Sequence, residues 1–257
     1  MHDVVATGDS SQRTADKELY RVVSDIMYAN GDDREPKHEC VDLLVRQLHN
    51  WQKRHIQLVS AERQGGVTLC RKRLREHFPA DYEEHVLLQK LKRQARKAQE
   101  EDEELAAADP ADDEEGEEQP AEEEDRVRSA MASRHGERRA FQDERTREMD
   151  AEEYESFAER RQAASLQSVG VARKVADSHG LLTNAVTRAN GRMVPAYSFF
   201  LRLATSHLGG IVEAANRAAH GDGRLHPPRQ PLALPHYLQA VREEYAKWPC
   251  GGSRQAE

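Results

Sequence analysis

Apolar residues recur at intervals of three and four in two long segments of the chain, at residues 37–60 and at residues 199–215. This spacing places the apolar side chains on one face of a helix. The first segment, of about 24 residues, would form a helix roughly 36 Å long at 1.5 Å per residue. We expect the two apolar faces to form the core of the fold, and the positions that define them are Val41, Leu44, Val45, Leu48, Trp51 and Val59 in the first segment and Phe200, Leu203, Leu208, Ile211 and Val212 in the second.

Shorter helical patterns flank the first long segment. Residues 18–30 carry apolar side chains at helical spacing, and Gly31 then ends this helix. After the long helix, Thr68 is predicted to cap a weaker helix that Pro79 ends. A basic helix over residues 80–99 is expected to follow. The predicted order is short helix, loop, long helix, loop, short helix and one added helix.

The second region repeats most of this order. A helix is predicted over residues 149–165, and the second long helix begins near Pro195, a residue that suits a first turn. Residues 220–231 are predicted to form a loop, and residues 234–248 a last short helix. A weaker apolar and basic stretch at residues 169–186 could supply a short helix before the long one.

A long amphipathic helix flanked by two short ones cannot cover its own apolar face. Such a unit is stable when a second copy of the same arrangement crosses it, which is the principle of the histone fold. We therefore predict an all-α chain with two histone-fold segments that pair with each other in one polypeptide. The first domain, with its extra helix, spans residues 18–99, and the second, histone-fold-like domain spans residues 149–248.

Composition and charge separate these regions from the rest of the chain. Apolar residues make up only 37% of the chain and charged residues 33%, so any folded parts should be small. Residues 100–125 contain 16 Asp or Glu and no Lys or Arg, so the remaining chain is basic although the total charge is −8. Like charges in such a tract repel each other. We predict a disordered acidic and charged linker over residues 100–148, and disordered ends over residues 1–17 and 249–257.

Three stretches resemble a known family. Residues 27–39 (MYANGDDREPKHE) resemble the first histone-fold loop of the suppressor-of-Ty-three family, the subunit of the SAGA coactivator that regulates the TATA-binding protein (TBP). Residues 153–165 resemble the block between the two folds of that family, and residues 203–215 resemble its second fold. The first loop also resembles TFIID subunit thirteen, a short single-fold chain. The resemblance covers roughly residues 18–99 and 149–245.

The resemblance implies a function for the chain. It implies a non-enzymatic, nuclear coactivator subunit, with SAGA-like subunits and TBP as its protein partners, that helps recruit or regulate TBP at RNA polymerase II promoters. A possible TBP-facing surface would lie at Ser206 and Glu213, although the family usually has an acidic residue near the position of Ser206. Two alternatives stay open: a protein like TFIID subunit thirteen that pairs with a separate chain, and a sequence-tolerant DNA-binding protein.

The remaining chemistry of the sequence is sparse. No metal-binding spacing of His or Cys, nucleophile elbow or phosphate-binding glycine loop is present, so we expect no catalytic residue, no metal and no cofactor. No secretory signal and no membrane-spanning run are expected either. Basic side chains that could contact DNA phosphates weakly, or a partner, or only solvent, are Arg71, Lys72, Arg73, Arg75, Lys90, Lys92 and Arg93.

Overall fold

The computed structural model describes residues 9–63, 66–105, 121–147, 149–187 and 192–247. Over these residues the chain is mostly helical, which confirms the predicted helical class, and the sheet found there is a two-stranded antiparallel hairpin. The elements in chain order are α1 (Asp9–Ala29), α2 (His38–Val59), β1 (Ser60–Arg63), β2 (Gly66–Leu69), α3 (Arg71–His77), α4 (Pro79–Leu105), α5 (Ala121–Arg147), α6 (Ala151–Ala163), α7 (Val169–Ser178), α8 (Thr183–Val186), α9 (Pro195–His220) and α10 (Leu234–Lys247).

Local sequence sets the ends of several helices. Asp150 caps α6, because its side chain accepts a hydrogen bond from the backbone N–H of Glu153 at 2.8 Å and the Glu153 carboxylate accepts one from the Asp150 N–H at 3.4 Å. Pro195 occupies the first turn of α9. Gly221 ends α9 in the left-handed region at φ 73°, and its N–H bonds to the carbonyl of Arg217 at 2.9 Å.

The long helices α2 and α9 contact each other at the centre of the core. The rings of Trp51 in α2 and Phe200 in α9 have centroids 5.3 Å apart. Helix α1 packs on both long helices, and α10 packs along α9. All of the residues predicted to line the two apolar faces are buried, and they belong to a single cluster. The two regions of the chain therefore share one core.

Loop contacts join the two regions at both ends of the α2–α9 pair. At one end, Val67 forms a parallel bridge with Leu181, and the N–H of Leu182 donates to the Val67 carbonyl at 3.1 Å. At the other end, the N–H of Leu232 donates to the carboxylate of Asp32 at 2.8 Å. In both cases the loop that follows one long helix contacts the loop that precedes the other.

The predicted disordered linker differs from the structure over the described residues. Helix α4 continues to Leu105, and α5 spans Ala121–Arg147, so much of the stretch 100–148 is helical. The sequence of α5 has no apolar face, and its position depends on polar contacts to distant residues that periodicity does not reveal. Residues 106–120 and 148 lie outside the described part of the chain.

Three smaller boundaries also change. Helix α1 begins at Asp9, so residues 9–17 of the predicted disordered N-terminus are helical, while residues 1–8 and 249–257 lie outside the described residues. Thr68 does not cap a helix but lies in β2, where its hydroxyl donates to the Ala61 carbonyl at 3.3 Å. The stretch predicted as a possible first helix of the second region becomes α7 and α8, which are separated by a short turn.

Candidate functional site

Asp32, in the loop between α1 and α2, is the centre of a buried polar junction. It is fully buried and accepts hydrogen bonds from the N–H of Leu232 and, at 2.6 Å, from the hydroxyl of Tyr237 in α10. Burial raises the pKa of Asp32, while these two donors act in the opposite direction. Burial also raises the pKa of Tyr237 well above its ordinary value, so the phenol stays protonated and donates a hydrogen bond to Asp32. The junction fixes the first loop against the last helix.

Asn216 of α9 holds the neighbouring backbone of the same loop. Its amide donates to the carbonyls of Gly31 and His226 at 2.8 Å each, and its carbonyl accepts from the His226 N–H at 2.9 Å. Gly31 has φ 114°, and a Cβ there would lie 3.3 Å from both the Asn216 amide and the ring of Phe141. A glycine is therefore required at this position by its backbone conformation and by its close neighbours.

Arg145 of α5 covers the other side of the loop. Its guanidinium donates to the carbonyl of Tyr28 and, at 3.3 Å, to that of Asp32. The same group stacks on the rings of Tyr28 and Phe157, with centroid distances of 4.4 and 4.9 Å. Residues 28–32, which belong to the segment with the family resemblance, thus contact α5, α6, α9 and α10.

Arg160 of α6 makes a second link to the end of α1. It donates to the buried carboxylate of Asp25 at 2.7 Å and to the carbonyl of Arg34 at 2.6 Å, and it stacks on Tyr28 at 4.4 Å. Through Arg160, the block at residues 153–165 therefore binds the end of α1 and the loop that follows it. Tyr154 of the same block is exposed and does not take part in these contacts.

The possible TBP-facing residues lie in two different environments. Ser206 is exposed on α9 and lines a cavity of about 140 Å³ between α4, α5 and α9. Glu213 is only 7% exposed and forms an ion pair with Arg138 of α5. The assignment of Glu213 to an open surface is therefore wrong, because α5 covers it. This contact was not predicted, because Arg138 lies in the stretch that we expected to be a disordered linker.

The predicted basic face lies on α3 and α4, which pack against each other. Of its members, Arg71 donates to the Tyr82 hydroxyl at 2.5 Å, Lys72 lies 3.8 Å from Glu76, and Arg73 donates to the Ser60 carbonyl. These three side chains are nevertheless exposed, as are those of Arg75, Lys92 and Arg93, while Lys90 is half-buried. The structure thus brings the candidate residues onto neighbouring helices, with part of their charge used within the chain.

Histidines cluster with aromatic rings at the α3 end of the core. His207 of α9 stacks on Trp51 with centroids 5.4 Å apart, and His55 lies 5.4 Å from His77. Burial lowers the pKa of both His55 and His207 to about 4. Both are therefore neutral near pH 7 and act as packing residues of the core.

Sequence reasoning missed most of the buried junction. Asp32 stood inside the segment with the family resemblance, but its partners are far away in the chain. Tyr237 lies in the predicted last helix, and helical periodicity does not indicate where its hydroxyl would bond. Nothing in the sequence distinguishes Arg145 and Arg160 from the charged residues around them, so their buried contacts could not be predicted.

Three further findings concern metal sites, membrane spans and known relatives. They contain no group of three or more His, Cys, Asp or Glu side chains that could hold a metal ion. None of their helices combines the length and the hydrophobicity needed to span a bilayer. Comparisons with family models, curated proteins and solved structures found no match to this chain.

Proposed function

We propose that the chain is a non-enzymatic, nuclear subunit of a SAGA-like transcription coactivator. Its two halves pair with each other as histone folds and form a rigid scaffold that helps recruit or regulate TBP at RNA polymerase II promoters. The mechanism is binding, with no bond made or broken. The resemblance of residues 27–39 and 153–165 to the suppressor-of-Ty-three family motivates the proposal.

The observation that carries the proposal is the contact pattern around α2 and α9. Each of these two helices has a helix before and after it, and the two contact each other in the core. The loop contacts at Val67–Leu181 and Asp32–Leu232 join the two units at both ends. Contact between the two helices, with paired loops at both ends, supports the proposal of a handshake between two histone folds.

Burial of both apolar faces favours pairing within one chain over pairing with a separate protein. The predicted core residues of α2 and of α9 are all buried in the structure of the single chain. A protein like TFIID subunit thirteen would instead leave its long helix partly exposed until its partner arrived. The alternative with a separate partner chain is therefore the weaker proposal.

Affinity purification of the full chain from nuclear extract, followed by mass spectrometry, tests the function. We expect SAGA-like coactivator subunits to co-purify, and purified TBP to bind the chain directly. Changing Ser206 to Arg should weaken TBP binding, whereas changing Ser178, an exposed serine of α7, to Arg should leave it unchanged. Recovery of TFIID components alone would favour the alternative, and absence of both complexes would refute the proposal.

A second candidate function is weak, sequence-tolerant binding to DNA. The observation in its favour is the exposure of Arg75, Lys92 and Arg93 on neighbouring helices. If these residues contact phosphates, affinity should fall steeply as salt increases, and changing Arg75 to Glu should reduce that salt dependence. No binding at about 50 mM salt would exclude this function.

A further inference from the structure

Helix α5 is attached to the rest of the chain mainly through a row of hydrogen-bond donors, together with the buried ring of Phe141 and an ion pair between Glu137 and Arg217 of α9 at 2.8 Å. His135, Arg138, Gln142 and Arg145 follow one another at steps of three and four residues, so they lie on one face of the helix. In most helices of a folded protein this spacing belongs to apolar residues that face the core. Among the described side chains of α5, the buried ones are Phe141 and Arg145.

Each donor of this row meets an acceptor on the surface beneath it. His135 lies 3.1 Å from a carboxylate oxygen of Glu84 in α4, and Arg138 pairs with Glu213 in α9. Gln142 donates to the carbonyl of Ala29 at 2.8 Å. Arg145 donates to the carbonyls of two residues at the end of α1 and in the loop after it, as described above.

The surface beneath α5, called the trough below, therefore presents acceptors in a fixed order, beside two arginines of α9, Arg202 and Arg217. Two of these acceptors are the carboxylates of Glu84 and Glu213, whose residues are 8% and 7% exposed. Arg202 of α9 also donates to Glu84 at 2.6 Å, so Glu213 is the carboxylate whose pairing depends more on α5. Beyond them lie backbone carbonyls, which a forked guanidinium can bridge.

The attachment of α5 is of a kind that another molecule can replace. Hydrogen bonds between protein groups exchange with hydrogen bonds to water, so their net contribution to binding is small compared with that of a buried apolar face. Because α5 belongs to the same chain, its effective concentration at the trough is high. This linkage, more than the strength of its contacts, keeps α5 bound there. A partner that presents the same donors would compete with it directly.

We propose that the trough beneath α5 is a binding site for an arginine-bearing helix of another protein, and that α5 is its internal occupant. The partner helix presents cationic or amide donors at positions i, i+3, i+7 and i+10, with an arginine at the last position. Binding displaces α5, and a cation of the partner helix then takes the place of Arg138 at the carboxylate of Glu213. The inference stands whether or not TBP is the partner.

A peptide with the sequence of residues 121–147, carrying a fluorescent label, serves as the probe. Its binding to the full chain is measured by anisotropy for the natural sequence, for Arg138→Glu and for Arg139→Glu. Arg138→Glu places like charges together at Glu213 and should release the internal α5, so the natural peptide should bind this variant about tenfold more tightly or better. Arg139 is exposed, so Arg139→Glu is the matched control and should bind like the natural chain.

A charge exchange tests whether Glu213 is the recognised carboxylate. In a chain that carries both Arg138→Glu and Glu213→Lys, the natural peptide should lose affinity, because the internal helix again matches the trough. If Arg138→Glu keeps its helical content and binds the peptide no better than Arg139→Glu does, the proposal is wrong.

Hydrogen exchange of the unmodified chain gives a test that needs no variant. Amides of residues 135–147 should exchange at least about 100-fold faster than those of α2, because α5 opens without unfolding of the core. Equal protection of α5 and α2 would overturn the proposal, since an internal helix that opens only on global unfolding cannot be exchanged. TBP does not take part in either experiment, so their failure is distinct from failure of the proposed function.

Discussion

Tyr237 donates its hydroxyl hydrogen to Asp32 at 2.6 Å, although 205 positions separate the two residues in the chain. Removal of the hydroxyl in Tyr237→Phe would leave a buried carboxylate with one donor fewer. We expect the free energy of unfolding to fall by about 1–3 kcal/mol, as for other unsatisfied buried polar groups. Urea denaturation followed by circular dichroism measures this.

The control for that change is Tyr245→Phe. Tyr245 lies in the same helix, is 39% exposed and donates to Gln47 at 2.8 Å. Because water can replace this bond, the variant should lose less than about 1 kcal/mol. Equal losses for the two variants would show that the buried bond at Asp32 contributes no more to stability than the exposed bond of Tyr245 does.

Two adjacent glycines in α9 should respond in opposite ways to replacement by alanine. A Cβ at Gly209 would lie 2.7 Å from the side-chain oxygen of Asn30, whereas a Cβ at Gly210 meets nothing within 4 Å. Gly210→Ala should therefore stabilise the chain by about 1 kcal/mol through helix propensity. Gly209→Ala should gain nothing or lose stability, because Asn30 would have to give up its 2.7 Å bond to the Ile26 carbonyl.

Thermal unfolding of the two variants side by side checks this difference. If both variants are stabilised to the same degree, α1 does not approach α9 as closely as the structure indicates.

Stability should fall as the pH is lowered below the ordinary histidine range. The pKa of His55 and of His207 is lowered from 6.5 to about 4 by burial, and His77 and Arg54 add to the effect at His55. The unfolded state therefore takes up protons first below pH 6.5, and each histidine reduces stability until the pH reaches about 4. Each of the two histidines should lower the free energy of unfolding by roughly 3 kcal/mol over this pH range.

Replacing His207 with Phe keeps an aromatic ring against Trp51 and removes one titrating group. The decrease in unfolding free energy between pH 6.5 and about 4 should then be smaller, while His55, and the other histidines whose pKa burial lowers, still contribute. Urea titrations at a series of pH values measure this slope. An unchanged slope would mean that His207 is not a source of the acid sensitivity. Glu244, whose carboxylate lies 3.8 Å from the His207 ring, is the nearby group to check by the same method.

The contact between Trp51 and Phe200 should be essential for association of the two halves. Trp51 is 4% exposed, so Trp51→Ala should cost about 3–5 kcal/mol by leaving a cavity. Fragments 9–105 and 121–247, expressed together, should co-purify with the natural sequence and separate when they carry this change. Leu58→Ala, at a residue that is 48% exposed on the same helix, is the control and should leave the pair intact. Separation of the natural fragments would contradict the single shared core.

The helical core was predictable because it rests on periodic burial. Leu44 and Leu48 lie one turn apart on the buried face of α2, and Leu208, Ile211 and Val212 do the same on α9. Periodicity reports which face of a helix avoids water, and this property belongs to each segment alone. The helical class and both long helices follow from it.

The polar contacts were not predictable, because they depend on two segments that are far apart in the chain, and periodicity describes one segment at a time. Arg138 and Arg139 are neighbours of the same type, yet one is half-buried against Glu213 and the other is exposed. Which of them finds a carboxylate depends on a helix that lies about 75 residues further along the chain. The short hairpin after α2 was missed because its strands are too short to show an alternating pattern.

The order in which the chain is synthesised gives the shared core a further consequence. The apolar face of α2 ends at Val59, but its partner α9 ends at His220. At about 5–20 residues per second, a ribosome needs roughly 10 to 30 s to make the segment between them. During that interval the first half of each new molecule leaves the ribosome with its apolar face uncovered. Production of this protein should therefore depend on chaperones that hold nascent chains, and slow codons between the two halves should increase its aggregation.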